Sequence, residues 1–161
     1  MKKLLLIFVG LAPVSIGYLQ GRLAAALPDS GWLNWIMVFI FPVIWFFTGW
    51  VVSDFDKTPR RVTLYTHIPA AVVLILLLIQ GFSPGGPWDG VVGIFTRTYY
   101  LPVLFMMAKL ADFFSTLFNT GISLSTEYIA GFALMLEVFY LGAGIKVVKR
   151  NHKPTLQDSE K

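Results

Sequence analysis

The stretch S-D-F-D-K-T-P-R-R, residues 53–61, places a short cluster of charge between two long apolar runs. Residues 32–52 before it include 21 residues without a formal charge, and residues 62–82 after it include 21 more in which only His67 can carry one. A helix rises about 1.5 Å per residue, so each run can cross a bilayer core about 30 Å thick. The sequence therefore predicts two membrane-spanning helices joined by a tight basic turn.

The composition also indicates a membrane protein. Hydrophobic residues make up 56% of the 161 positions and charged residues 14%, whereas soluble proteins average about 25% charged. We expect one transmembrane helical domain, residues 1–150, followed by a disordered cytoplasmic tail, residues 151–161. The chain has no cysteine and only two histidines, far apart in sequence, so no metal site and no cofactor is predicted.

The first apolar run follows Lys2 and Lys3 and allows two interpretations. Its basic start and the alanines at 24–26 match a secretory signal peptide. The run is longer than a usual signal core, however, and Arg22 lies where a cleavage region is normally uncharged. We therefore expect a retained first helix, and spans at about residues 4–26, 32–52, 62–82 and 126–148.

The segment 98–118 is ambiguous, because it is apolar but contains Lys109 and Asp112. It follows a Gly- and Pro-rich stretch, residues 83–97, that is predicted to be a loop on the outer face. If 98–118 spans the membrane, the chain has five transmembrane helices and its basic C-terminal region lies outside. If it is an interfacial or re-entrant helix, four transmembrane helices remain.

The positions of the basic residues favour four spans. Nine of the 13 Lys and Arg residues lie beside the ends of apolar runs, which is typical of charges that orient helices and argues against a nucleic-acid partner. With four spans, all nine lie in the cytoplasm. The predicted fold is an all-α integral membrane protein with four transmembrane helices plus one interfacial or re-entrant helix. It is expected in the plasma (inner) membrane as a multi-pass protein with both termini cytoplasmic.

Glu137 is the strongest candidate site residue, because it lies almost at the middle of the last apolar run. A charged side chain at the centre of a bilayer costs about 2.5–3.5 kcal/mol on insertion scales, so it needs a partner or water. Small residues let helices approach closely, and in this run they share a stripe with Glu137, which is therefore expected to face the bundle. The residues predicted to pack helices together are Gly10, Gly17, Gly21, Ala130, Ala133 and Gly144.

Two further groups of charged residues are weaker candidates. Lys109 and Asp112 are three residues apart and could form a binding or relay site, but an internal ion pair on one helix face is the simpler interpretation. A cytoplasmic cluster could hold a phosphate or lipid head group through the fork-like donors of arginine. Its members are Asp54, Asp56, Arg60, Arg61 and His67.

These features support three hypotheses about function. No catalytic motif occurs at a recognisable spacing, so no catalytic residue is assigned. The favoured hypothesis is a structural, accessory or regulatory partner of another membrane protein, bound through the Gly and Ala faces, with self-association as the related possibility. The second is a small oligomeric transporter or channel with Glu137 in its path. The third is a lipid-modifying membrane enzyme that uses the cytoplasmic Asp and Arg cluster.

Overall fold

A computed structural model describes residues 2–27, 31–56, 58–82, 91–118 and 123–151, and this part of the chain is helical without a strand. Of the tail predicted at residues 151–161, Asn151 is the last residue of a helix, and residues 152–161 lie outside the described residues. The helices are α1 (Lys2–Val9), α2 (Ala12–Ala26), α3 (Gly31–Val52), α4 (Pro59–Phe82), α5 (Val91–Phe118) and α6 (Leu124–Asn151). A short 3₁₀ turn, Ser53–Phe55, follows α3.

Five segments of the described chain are long and apolar enough to cross a membrane. They are Lys2–Ala26, Gly31–Phe55, Pro59–Gln80, Val92–Leu117 and Leu124–Arg150. The predicted runs at 32–52 and 62–82 correspond to α3 and α4. The loop predicted over 83–97 is too long, because α5 already begins at Val91 and buries Thr96. Packing of this first part of α5 outweighs the weak helix propensity of Gly93.

The first segment is interrupted between α1 and α2. Pro13 has no N–H and its ring clashes with the carbonyl four residues earlier, so the helix cannot continue regularly. The Leu11 N–H donates to the Phe8 carbonyl at 3.0 Å, and the Val14 N–H donates to the Leu11 carbonyl at 3.0 Å. The Gly10 carbonyl instead accepts a hydrogen bond from the Tyr99 hydroxyl at 2.6 Å. The Val14 N–H bonds to Leu11 and not to Gly10, so the Gly10 carbonyl lacks a partner within the helix. The Tyr99 side chain of α5 supplies that partner.

One end of the helical bundle carries most of the basic residues, and we call it the basic end. Lys146 Nζ of α6 lies 2.6 Å from Asp54 Oδ2 in the turn after α3. Lys149 Nζ is 5.0 Å from the centre of the Trp50 ring. Lys3 Nζ is 5.3 Å from the centre of the Tyr65 ring, which places the start of α1 beside the start of α4. The starts of α1 and α4 and the ends of α3 and α6 therefore lie together.

Helix α5 packs against all the longer helices of the bundle. Its contacts with the first apolar segment, Lys2–Ala26, and with α3 and α6 include residues that lie more than halfway along from the basic end. The contacts are Gly17 with Thr98, Trp35 with Phe105, and Tyr128 with Tyr100. On α4, the Tyr100 hydroxyl donates to the Ala70 carbonyl at 2.9 Å, near the middle of that helix.

The chain connection limits where α5 ends. Helix α6 returns to the basic end, and only residues 119–123 separate its start from the end of α5. Such a short connection reaches roughly 20 Å at full extension, whereas the 28 residues of α5 span about 42 Å. The last residue of α5 therefore lies on the side of the bundle away from the basic end.

Large aromatic side chains fill the core between the helices. Those with less than 2% of their surface exposed include Trp45, Tyr99, Tyr100, Phe41 and Phe139. The parallel helices α3 and α6 make the most extensive contact of the bundle. Burial of these rings supplies the main apolar contribution to packing.

Candidate functional site

Glu137 lies on the outer surface of the bundle, and its side chain is exposed. The expectation that it faces the bundle is wrong. Glu137 is the fourteenth of the 28 residues of α6, nine residues before Lys146, which corresponds to a rise of about 13 Å. Within the described residues, Glu137 forms no ion pair and no hydrogen bond. An ionisable group therefore stands alone at mid-length on an apolar helix.

The face of α6 that packs into the bundle is the bulkier one. Its buried members recur at spacings of three and four and are Tyr128, Gly131, Met135, Phe139, Gly142 and Ala143. The stripe that contains Glu137 was predicted to face the bundle because it holds small residues. The bulky stripe also contains small residues, Gly131 beside the Val103 side chain of α5 and Gly142 beside the Phe46 carbonyl of α3. Large rings interlock with the aromatic core there, and glycine provides the space.

Two glycines of this contact were missed in the sequence. A Cβ at Gly49 would collide with the Phe139 carbonyl oxygen, and a Cβ at Gly142 would collide with the Phe46 carbonyl oxygen. Each glycine therefore lets one helix backbone touch the other. The sequence pattern could have identified Gly142, because it follows Phe139 by three residues and so continues the stripe of Met135 and Phe139.

The six predicted packing residues divide into two groups. A Cβ at Gly10 would collide with the Thr66 carbonyl oxygen, and one at Gly17 with the Thr98 carbonyl oxygen, whereas one at Gly21 would lie 3.7 Å from a methyl of Leu101. The other three belong to the outer stripe of α6. The side chains of Ala130 and Ala133 are exposed, and a Cβ at Gly144 would meet nothing within 4 Å. The expected packing of those three inside the bundle is wrong.

Lys109 and Asp112 form an ion pair on one face of α5, with Lys109 Nζ 3.5 Å from Asp112 Oδ2. Their side chains are 50% and 74% exposed, respectively, so the pair contributes little to stability. The Lys109 ammonium also lies 5.7 Å from the centre of the Phe105 ring. This arrangement agrees with the simpler of the two interpretations of these residues.

The basic end gathers four of the five predicted head-group residues. Asp54 pairs with Lys146, and Asp56 accepts a hydrogen bond from the Thr58 N–H at 2.9 Å. Arg60 and Arg61 begin α4, and both side chains are exposed. Neither arginine forms an ion pair with any residue that the structure describes. The two carboxylates thus have local partners, while the two guanidinium groups are free to contact molecules outside the bundle.

His67 is not part of that group, because it is buried with only 3% of its surface exposed. The Trp45 Nε1–H donates to His67 Nε2 at 3.4 Å, and His67 Nδ1 lies 2.9 Å from the Thr63 carbonyl oxygen. Because Nε2 accepts, the proton resides on Nδ1, and the ring is neutral in this arrangement. The rings of Phe132 and Phe139 pack around it. His67 therefore has both nitrogens satisfied inside an aromatic cage.

Two pairs of buried polar residues were also missed. Gln20 Nε2 donates to Asn34 Oδ1 at 3.0 Å, and Gln80 Nε2 donates to Thr96 Oγ1 at 3.4 Å. Each pair links two consecutive helices, α2 with α3 and α4 with α5. A polar side chain inside an apolar run needs a partner, which is the signal that could have identified them. Within the described residues, no three His, Asp or Glu side chains are grouped to hold a metal ion.

No protein-family model, curated protein or solved structure matches this chain.

Proposed function

We propose that this protein is a structural, accessory or regulatory partner of another membrane protein, and that the outer stripe of α6 binds that partner. The stripe consists of Ala130, Ala133, Glu137 and Gly144. The observation that carries the proposal is the exposed, unpaired carboxylate of Glu137 at mid-length of an apolar helix. A charged group left in lipid at that depth costs about 2.5–3.5 kcal/mol, which a donor from a partner helix would offset.

The residues around Glu137 suit a helix partner. Ala133 lies one turn before Glu137 on the same face, and Gly144 lies two turns after it with open space around its Cα. Small side chains beside a polar group allow a second helix to approach until a hydrogen bond or ion pair forms across the interface. The partner helix would supply a Lys, Arg, Asn or Gln side chain at the depth of Glu137.

We also propose the membrane topology. Four segments cross the plasma (inner) membrane, α1–α2, α3, α4 and α6, and both termini are cytoplasmic. The basic end supports this, because positively charged residues favour the cytoplasmic side. Helix α5 lies in the other half of the bilayer as an interfacial or re-entrant helix, supported by its contacts with Gly17, Trp35 and Tyr128. Residues 1–26 stay attached, supported by the close packing of Gly10 and Gly17.

Substitution of Glu137 tests the proposed partner surface. Glu137→Gln keeps the shape and one acceptor but removes the charge, so the protein should fold and insert while losing about tenfold or more of its complex, the loss expected for a charge-assisted bond. The measurement is the amount of partner recovered with the tagged protein after crosslinking in native membranes. Glu127→Gln, on the same helix but near its start, is the matched control.

Two outcomes would argue against this role of Glu137. Full recovery of the complex with Glu137→Gln would remove Glu137 as a binding residue. Recovery of only the chain itself would favour the second hypothesis, an oligomeric transporter or channel in which Glu137 residues of several copies line a shared path. Flux through liposomes that contain the purified protein would then decide between assembly alone and transport.

A further inference from the structure

A groove opens on the outer surface between α4 and α6 at the basic end. It is lined by Arg60, Thr63, Leu64, Leu136 and Tyr140 and has a volume of about 450 Å³. Arg60 is the second residue of α4, so it lies at the mouth, while Leu64 and Leu136 form the wall below it. The groove therefore combines a cation at its mouth with an apolar channel that runs along the helices.

The polar groups of the groove differ in whether they can donate a hydrogen bond to a ligand. The Thr63 hydroxyl donates to the Pro59 carbonyl at 2.9 Å, so its proton is not available to a ligand. Arg60 is exposed and has no ion-pair partner among the described residues. Tyr140 is 45% exposed, and its hydroxyl lies at the polar tip of an otherwise apolar ring. The guanidinium of Arg60 and the hydroxyl of Tyr140 are the donors available to a ligand.

The charge around the mouth favours an anionic ligand. Among the described residues, the basic end carries Lys2, Lys3, Arg60, Arg61, Lys146, Lys149 and Arg150 but only two carboxylates, Asp54 and Asp56. Asp54 is held by Lys146 at 2.6 Å, and Asp56 accepts from a backbone N–H. Neither carboxylate forms an ion pair with Arg60. Glu137 lies about one turn deeper than Tyr140, on the far side of the donors from the basic end.

We propose that this groove binds one anionic phospholipid from the leaflet at the basic end. The phosphate accepts hydrogen bonds from Arg60, whose planar fork matches phosphate geometry, and from Tyr140. One acyl chain follows the apolar wall of Leu64 and Leu136. Leu64 is 65% exposed, so covering it with an acyl chain removes apolar surface that the helices alone leave open. This site adjoins the stripe of α6 proposed to bind a protein partner, because Tyr140 follows Glu137 by three residues on the same helix. It differs from the stripe in using Arg60, Leu64 and Leu136.

Native mass spectrometry of the delipidated protein in detergent tests the lipid site. The protein is titrated with phosphatidylglycerol and with phosphatidylcholine that has the same acyl chains. We expect one tightly bound phosphatidylglycerol and at least about tenfold weaker binding of phosphatidylcholine, because both lipids carry a phosphate but only phosphatidylcholine adds an ammonium group, which the basic residues around the mouth repel. Loss of the charge-assisted bond from Arg60 to the phosphate costs roughly tenfold or more in affinity. Arg60→Gln should reduce the affinity for phosphatidylglycerol about tenfold, and Leu64→Trp should weaken both lipids by filling the groove.

Arg61→Gln is the matched control, because Arg61 is exposed at the same end but does not line the groove. It should leave phosphatidylglycerol binding within about twofold of the unchanged protein, since general attraction from one exposed charge is weak. Equal losses in Arg60→Gln and Arg61→Gln would overturn the proposal in favour of non-specific attraction to the basic end. Equal affinity for the two lipids, or displacement of phosphatidylglycerol by millimolar inorganic phosphate, would also overturn it.

Discussion

At the scale of single residues, the contact between α3 and α6 depends on two glycines. Gly49 and Gly142 each face a carbonyl oxygen of the opposite helix, so neither position has space for a side chain. Gly144 lies on the same helix as Gly142, two residues later, and faces open space. Substitution of Gly142 and of Gly144 therefore distinguishes the effect of helix packing from the effect of helix propensity.

Gly142→Ala should lower the free energy of unfolding by about 1–3 kcal/mol, because the added methyl forces α3 and α6 apart. Gly144→Ala adds the same methyl without a clash and should be neutral or raise that free energy by up to about 1 kcal/mol, since alanine favours helix over glycine. Equilibrium unfolding of both variants in mixed detergent micelles measures the difference. Equal stability of the two variants would mean that α3 and α6 do not pack as described.

Residue identity was easier to predict than residue orientation. Glu137 is visible in the sequence because a lone carboxylate inside an apolar run is costly in lipid. Its orientation was predicted wrongly because small residues on two faces of α6 compete for the same contact. The face of α6 that packs into the bundle is set where the backbones of α3 and α6 touch, at Gly49 and Gly142. These two positions are far apart in the chain. His67 was misplaced for a similar reason, since Trp45, its partner, lies on another helix.

At the scale of helices, length and apolar composition alone predict most of the architecture. Residues 32–52 and 62–82 form α3 and α4, as expected, because an apolar run of that length satisfies its backbone groups within itself only as a helix. The interruption at Gly10 was not predicted although Pro13 is its local cause, because a proline does not always end a helix: Pro42, Pro69 and Pro102 lie inside helices that continue. The partner of the Gly10 carbonyl, Tyr99, is 89 residues away. The start of α5 was missed because Gly93 suggests a loop until the packing of Thr96 is known.

Cysteine labelling tests the position of α5, and the absence of native cysteine removes background labelling. Ser123 is exposed at the connection between α5 and α6, and Thr58 is exposed between α3 and α4. If α5 stays in the outer half, Ser123→Cys should react with a membrane-impermeant maleimide in intact cells. Thr58→Cys should react only after permeabilisation. Labelling of Ser123→Cys only in permeabilised cells would favour five transmembrane helices.

At the scale of the whole molecule, the basic end brings together the ends of four helices. Contacts of Lys3, Lys146 and Lys149 bring the start of α1 and the end of α6 to the same end of the bundle as the α3–α4 turn. The described interior is filled by aromatic rings, so ligands and partners have to approach from outside the bundle. We propose two binding surfaces on the outside of the bundle. The stripe of α6 around Glu137 binds another membrane protein, and the groove at Arg60 binds an anionic phospholipid.

Site-specific photocrosslinking tests the central claim, that the outer stripe of α6 binds another membrane protein. A benzophenone amino acid replaces Ala133 beside Glu137 or, as a control, Phe39, which is 69% exposed on α3. After irradiation of native membranes, position 133 should yield a covalent adduct with a second membrane protein, and Glu137→Gln should reduce that adduct about tenfold or more. Equal adducts from positions 133 and 39, or adducts from position 133 with lipid alone, would contradict the claim.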